Sequence, residues 1–211
     1  MALKANLYVD RVDPIPYFSA SDCERCGYSS CGQWLEKLRE GSLRPDECLS
    51  LSPNRAHALK VVLSLERVLP DVEITQHPVP GLVGRQEVNS PGPEAPVLVT
   101  GNALSTQEVV LAVLSTTTAA FHLLFVDCLG HTVDMAVIYQ TFTPDAVRRA
   151  VEGSDLPWRV SHREMILPGV VAPLKDAIED RTGWVARVGP WCVGELPLFL
   201  GDLWTAAGRN G

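Results

Sequence analysis

The sequence predicts an α/β fold: a doubly wound, mostly parallel sheet preceded by a small, separate N-terminal domain. Three observations lead there. After residue 96, short apolar runs alternate with segments of helical periodicity, the rhythm of strand–helix–strand units. Residues 70–95 are interrupted by Pro78, Pro80, Gly81, Gly84, Pro91, Gly92 and Pro93, which reads as a linker. Four of the six cysteines lie between residues 23 and 48, apart from everything else. The 211 residues suit one or two domains at roughly 150 residues each. The expected division is 1–69, a linker at 70–95, and 96–211.

Pro14 and Pro16 force extended backbone near the start. Ser30 caps a short helix through Cys31, Trp34, Leu35 and Leu38, and Gly41 suits its stop. Ser52-Pro53 opens a second helix, with Leu59, Val62, Leu63, Leu65 and Val68 as its apolar face up to Leu69-Pro70. Val97-Leu98-Val99 is a buried strand that runs into Thr100-Gly101-Asn102. A helix follows, with Ser105 and Glu108 as a capping box. Phe121 to Val126 is the second strand, then a helix over about 132–140. Another helix runs from Thr143-Pro144-Asp145 to about Glu152. Trp158 to Leu167 holds the third strand. A helix over 173–182 stops at Gly183, Trp184 to Val188 is the fourth strand, and a short helix covers about 194–204. Such a pattern is Rossmann-like.

Composition excludes several functions. Charged residues make up 20% and apolar residues 46%, a globular balance. The net charge is −7, with 10 basic against 13 acidic residues up to residue 95 and 8 against 12 after it. Neither half suits a phosphate-tracking surface, so no nucleic-acid partner is expected. No apolar run approaches the roughly 18 residues of a membrane span. The N-terminus lacks an apolar secretory core, so the cytoplasm is the expected compartment. Structural disulfides are rare there.

All four proposed strands end in loops rich in Gly, Pro, Asn or Asp. In open parallel sheets ligands bind outside the carboxyl ends of the strands. The loops at 100–102, 127–132, 168–170 and 189–195 therefore share one expected ligand rim. The first strand is not followed by G-x-G-x-x-G, and no P-loop is present, so a nucleotide is disfavoured.

The cysteine spacing is Cys23-x2-Cys26-x4-Cys31-x16-Cys48. Thiolates are soft ligands that favour zinc or iron–sulfur clusters. Structural zinc usually takes two close pairs. A compact triplet with one remote fourth ligand is the pattern of cubane clusters, so a [4Fe–4S] cluster is expected, ahead of zinc and of a disulfide framework. Gly27, Ser29, Ser30 and Gly32 let backbone N–H groups face the sulfurs. Cys128 and Cys192 stand outside this set, each in a strand-end loop.

The run Asp22-Cys23-Glu24-Arg25-Cys26-Gly27-Tyr28-Ser29-Ser30-Cys31-Gly32-Gln33-Trp34, followed by Cys48, resembles the [4Fe–4S] domain of the large (gamma) subunit of the corrinoid iron–sulfur protein of the CO dehydrogenase/acetyl-CoA synthase system. The second half resembles that subunit's corrinoid-binding domain. The matching pieces are Pro96 to Asn102, Asp127 to Val133, Thr141-Phe142-Thr143, Ser161-His162-Arg163, Ile166 to Gly169, Thr182-Gly183-Trp184 and Val188-Gly189-Pro190. A more distant resemblance is to the corrinoid protein of mercury methylation. Three departures stand out. The family carries a TIM barrel of roughly 250 residues where this chain has only its linker. Met135 occupies the position near the lower face of the cobalt, where the family usually has Thr and the mercury-methylation protein has Cys. His131 replaces an apolar residue, and Cys192 a polar one.

The resemblance implies two cofactors. One is a [4Fe–4S] cluster on Cys23, Cys26, Cys31 and Cys48. The other is cobalamin or another corrinoid, bound base-off over Thr100, Gly101, Asn102, Asp127, Cys128, Gly130, His131, Thr132, Met135, Pro168, Gly169, Gly189, Pro190 and Cys192. It implies an anaerobic methyl carrier: cobalt takes a methyl group from a donor and gives it to an acceptor, and the cluster returns the electron lost when cobalt oxidises. No catalytic side chain of the chain's own is expected. The expected partners are a methyltransferase, as a separate TIM-barrel protein, and a reductive activator. Two other readings remain. One is a [4Fe–4S] electron-transfer module whose Rossmann-like domain docks a partner without corrinoid. The other is an accessory protein with a structural cluster.

Overall fold

The computed structural model describes residues 2–206 apart from 74 and 76. Strands β1 (Ala2–Lys4) and β2 (Asp71–Glu73) form a small antiparallel pair. Between them lie helices α1 (Ala20–Arg25), α2 (Cys31–Arg39), α3 (Pro53–Leu63) and α4 (Leu65–Val68). Strand β3 (Gly84–Val88) precedes β4 (Val97–Gly101), α5 (Leu104–Leu114), β5 (Phe121–Val126) and α6 (Val133–Ile138). Then come α7 (Pro144–Glu152), α8 (Leu156–Arg159), β6 (Glu164–Leu167), α9 (Lys175–Thr182), β7 (Val185–Val188) and α10 (Leu196–Leu200).

The large sheet has five strands in the order β3-β5-β4-β6-β7. The last four are parallel; β3 joins the edge antiparallel to β5. This is the expected doubly wound α/β sheet. Side chains alternate between faces, as a strand requires. Leu98, Phe121, Leu123, Phe125 and Ile166 enter one core; Val97, Val99, Leu124, Val126, Met165 and Leu167 enter the other. Because helices cover both faces, the central strands read as continuous apolar runs. Helices α6 to α9 line the second face.

The first face is covered differently from expectation. Cys23, Trp34, Leu35, Leu38, Cys48, Leu59, Val62 and Leu65 share one core with α5, α10 and Trp204. The described residues up to 69 thus share one core with this face of the sheet, joined through α10, rather than forming a core of their own. His57 Nε2 lies 2.7 Å from the Thr116 carbonyl, and Asn54 donates to the Asp202 carbonyl at 2.8 Å, tying α3 to both ends of the second half. The segment 70–95 is also not a free linker, since it supplies β2 and β3. The edge strand needs main-chain pairing on one side only, so its polar sequence Gly-Arg-Gln-Glu-Val carried no strand signal. Arg85 then pins it, at 2.5 Å and 3.0 Å from the Asp155 carboxylate.

Smaller differences have local causes. Helix α5 begins one residue before Ser105, so the capping box does not form. Trp158 sits in α8 and is 89% exposed, and the third strand is only Glu164–Leu167. Ser64 breaks the second predicted helix into α3 and α4. Among the described residues, no helix is long and apolar enough to cross a membrane.

Candidate functional site

Two sites were expected, one at the cysteines and one at the strand ends. At the first, Ser19 caps α1 through a capping box with Asp22. That short helix carries Cys23 and ends at Cys26. Gly27, at φ 82°, turns the chain in a conformation other residues resist. Ser30 then caps α2, which begins at Cys31. Cys48 returns after a tight turn at Pro45–Glu47.

The four cysteines come together. Cys23 pairs with Cys31 and Cys26 with Cys48, with Cα separations of 5.2 Å and 5.3 Å. Both Sγ atoms of the first pair lie on the Ser19 carbonyl, at 3.5 Å and 3.4 Å. Both of the second lie on Ser50 Oγ, at 3.5 Å and 3.2 Å. Ser50 Oγ in turn donates to the Asp22 carbonyl at 2.8 Å, so one turn joins both pairs. The pairs are spaced as disulfides, and no open group of three or more His, Cys, Asp or Glu stands ready for a metal ion among the described residues.

The donor set nevertheless fits a [4Fe–4S] cluster. Four soft sulfurs converge with no hard ligand among them. Trp34, one helical turn beyond Cys31, is buried in the same core, and its indole N–H has no acceptor. A buried donor left unpaired is costly; the Trp204 indole N–H in the same core is unpaired as well, so the fit rests on the four convergent sulfurs.

At the second site, the sheet order places the topological switch point between β4 and β6. Asn102, just past β4, organises the first two loops. Its Oδ1 accepts from the N–H groups of Cys128 and Gly130, at 2.8 Å and 3.2 Å, and its Nδ2 donates to Asp127 at 3.2 Å. Asp127 also accepts from Leu129 N at 3.0 Å. The loop thereby holds Leu129 and Gly130 in the left-handed region, at φ 57° and 76°. Leu129 is 64% exposed in that strained conformation. A side chain at Gly130 would meet the Pro80 nitrogen at 2.5 Å, because segment 79–81 crosses the rim there. The other two loops also touch: Gly169 N donates to the Pro190 carbonyl at 2.9 Å, and a Cβ on Gly169 would lie 2.7 Å from Trp191 N.

The expected rim residues therefore divide. Thr100, Gly101, Asn102, Cys128, Gly130 and Cys192 are buried. They build the loops rather than line the open surface. Burial pushes the Cys128 thiol up to about 12 and raises Cys192 as well, so both are poor nucleophiles. Asp127 is exposed, while His131, Thr132, Pro168, Gly169, Gly189 and Pro190 are partly so. His131 Nδ1 is 3.0 Å from the Cys128 carbonyl, and its ring lies 5.0 Å from that of Tyr139. Met135 is 36% exposed on the first turn of α6, not a core filler.

The sequence reading missed the apolar residues that stay open here: Leu129, Ile138, Tyr139 and Trp191. It also missed the N-terminus. Tyr8 Oη donates to Asp134 Oδ2 at 2.6 Å, and Arg11 lies over the Tyr8 and Trp191 rings at 5.3 Å and 6.0 Å. The bond to Asp134, with burial, pushes the Tyr8 phenol up to about 12. Burial works to raise Asp134, but bonds from Thr132 and Tyr8 outweigh it and hold the carboxyl low. No periodicity or motif marks such a contact. A shallow cavity of about 400 Å³ opens beside the rim, among Asp127, Leu129, Thr141, Thr143 and Arg149. A larger one, about 530 Å³, lies away from it against α2, α3 and α4.

A family model described as CO dehydrogenase/acetyl-CoA synthase delta subunit matches residues 57–200. Among curated relatives, the acetyl-CoA decarbonylase/synthase complex subunit gamma of Methanopyrus kandleri is 34% identical over 142 residues, 67% of this chain and 30% of that one. The subunit gamma of Archaeoglobus fulgidus is 34% identical over 121 residues, 57% of this chain and 26% of that one. That of Methanocaldococcus jannaschii is 29% identical over 195 residues, 89% of this chain and 39% of that one. The chain thus spans about a third of the length of the curated relatives it matches.

Proposed function

The chain belongs to the CO dehydrogenase/acetyl-CoA synthase delta subunit family, and from that premise we propose that it is a compact corrinoid iron–sulfur protein that carries a methyl group between a donor and an acceptor enzyme. Its relatives are named as gamma subunits of the acetyl-CoA decarbonylase/synthase complex. The observation that carries the reading is the character of the rim. At the switch point of a parallel sheet, Leu129 and Trp191 on strand-end loops and Met135 on the first turn of α6 stay open to solvent, the Leu129 loop being held from within by Asn102. Exposed apolar surface in such a place marks a binding site, and its apolar character suits the ring of a corrinoid better than a charged cofactor.

When bound, the corrinoid would supply a cobalt centre for methyl transfer, and a [4Fe–4S] cluster would supply single electrons to keep that cobalt reduced. Cys23, Cys26, Cys31 and Cys48 would hold the cluster. The chain's own residues bind and orient. Asn102 and Asp127 fix the loop over 127–130, and Thr132 fixes the start of α6 through its 2.6 Å bond to Asp134. Met135, a soft and weak donor exposed on the first turn of α6, would be among the residues that hold the corrinoid. Leu129, Tyr139 and Trp191 would exclude water from the bound group. The methyl donor and acceptor enzymes are partners, one of them a separate TIM-barrel methyltransferase, with a reductive activator besides.

The test is addition of cobalamin to anoxically purified, iron-loaded protein. A spectral change to the base-off form is expected. A folded, iron-loaded chain that leaves the cobalamin spectrum unchanged over a range of concentrations would overturn the reading in favour of an electron-transfer module.

A further inference from the structure

We propose that the N-terminal segment Tyr8–Arg11 is a wall of the strand-end crevice, latched by the Tyr8–Asp134 hydrogen bond, so that the cysteine-bearing half and the rim move as one body. The corrinoid part of this inference rests on the function proposed above; the latch itself does not.

The geometry is specific. Asp134 lies on the first turn of α6, next to Met135. Its two carboxylate oxygens are both engaged, Oδ2 by the Tyr8 phenol and Oδ1 by the Thr132 hydroxyl, each at 2.6 Å. The first bond joins residues 126 apart in sequence. Three residues on, the Arg11 guanidinium spans the rings of Tyr8 and Trp191, so the segment reaches from α6 to the loop after β7. Arg11 is exposed and has no carboxylate partner among the described residues; its cation is held by aromatic faces alone. Further along, Tyr17 Oη donates to Glu195 Oε2 at 2.9 Å, fastening the same segment to the same loop. Behind it, Leu65 of α4 packs so closely on Gly194 that a Cβ there would lie 2.7 Å from it. Leu7, just before the latch, is 75% exposed. The segment is therefore held by these polar contacts together with Val9 and Val12, which are partly buried against the core, while Leu7 stays outside it, so the latch is the attachment on the rim side.

Two consequences follow. A ligand in the crevice leaves only when the segment lifts, so the latch sets its residence time. The cysteine site also stays at a fixed place relative to the rim, because its residues share the core of the sheet's first face and segment 70–95 supplies β2, paired with β1, and β3, paired with β5.

The experiment uses the full chain, iron-loaded, with and without cobalamin. Hydrogen exchange and cobalamin release are measured for the wild type, Tyr8→Phe, Asp134→Ala and the double variant. Tyr8→Phe should raise exchange in residues 7–12 and in 131–136 together and speed cobalamin release several-fold, with iron content unchanged. In the Asp134→Ala background, Tyr8→Phe should add nothing. Independent, additive effects of the two substitutions, or exchange that rises in 7–12 alone, would overturn the latch. An unchanged release rate with coupled exchange would remove the wall and leave only the tether. Failure of the wild type to bind cobalamin would instead count against the corrinoid reading, while the coupled exchange still reports on the latch.

Discussion

The cysteine site and the strand-end rim are built on opposite principles. The cysteine site is local: four donors within residues 23–48, positioned by two capped helices and one tight turn. Its functional atoms are the residues the eye picks out. The rim is assembled from four loops spread over a hundred residues, plus a segment from the far end of the chain. Its conspicuous polar and small residues, Asn102, Gly101 and Gly130, are turned inward as scaffold. What stays exposed is the apolar surface they hold in place. A soft metal cluster needs specific atoms at specific points, whereas a large flat ligand needs a shaped surface with few polar contacts.

That contrast predicts unequal effects of substitution. The largest is at the cysteines: Cys26→Ala should abolish the iron–sulfur chromophore and most of the bound iron, and should loosen the core shared by Trp34 and Leu59. Iron content and the thermal transition read this out. Full retention of iron would place the metal elsewhere. Next is Asn102→Ala. It removes three hydrogen bonds and leaves the N–H groups of Cys128 and Gly130 without their acceptor. A cost of about 2–4 kcal/mol is expected, with rapid amide exchange over 127–131 but intact iron binding; denaturant unfolding measures the first. Gly130→Ala should cost about 1–3 kcal/mol through the clash with Pro80 and the left-handed backbone. An unperturbed stability would mean that segment 79–81 does not cross the rim.

The pH dependence is smaller and has a definite sign. The folded Tyr8 phenol ionises at about 12 rather than its ordinary 10, so its hydrogen bond contributes fully below that ordinary value. The contribution is lost as pH rises through the folded value. Alkaline titration should therefore release the N-terminal segment first, seen as exchange or proteolysis near residue 8, and Tyr8→Phe should abolish that step. Met135→Ala sits at the bottom of the scale. As a part-exposed side chain it should change stability by no more than about 0.5 kcal/mol. A change in the cobalt EPR spectrum without a change in stability would assign it to the ring; no change in either would make it an ordinary surface methionine.

The sheet was legible because its strands are apolar on both faces and each is punctuated by glycine, proline or asparagine. The cysteine set was legible because its spacing is contiguous. The edge strand β3 was not, because main-chain pairing to β5 does its work and Arg85 and Glu87 look like linker residues. The packing of the described residues up to 69 into the core of the sheet's first face was hidden for a related reason. Leu59, Val62 and Leu65 signal that a helix face is buried, but not against what. At the rim, residue type did not foretell exposure: the polar Asn102 is buried with Cys128, while the apolar Leu129 and Trp191 are open. Tyr8 and Arg11 carry no pattern at all, since their partners are 126 and 180 residues away.

The central claim is that one short chain holds both cofactors. Iron, sulfide and cobalt per chain, measured on protein made and purified without oxygen in the presence of cobalamin, test it most directly. About four iron and four sulfide together with one cobalt are expected on the same folded chain. Iron and sulfide without cobalt would contradict the methyl-carrier reading. Absence of iron, with Cys23–Cys31 and Cys26–Cys48 disulfides found by mass spectrometry of the same anoxic sample, would contradict the cluster itself.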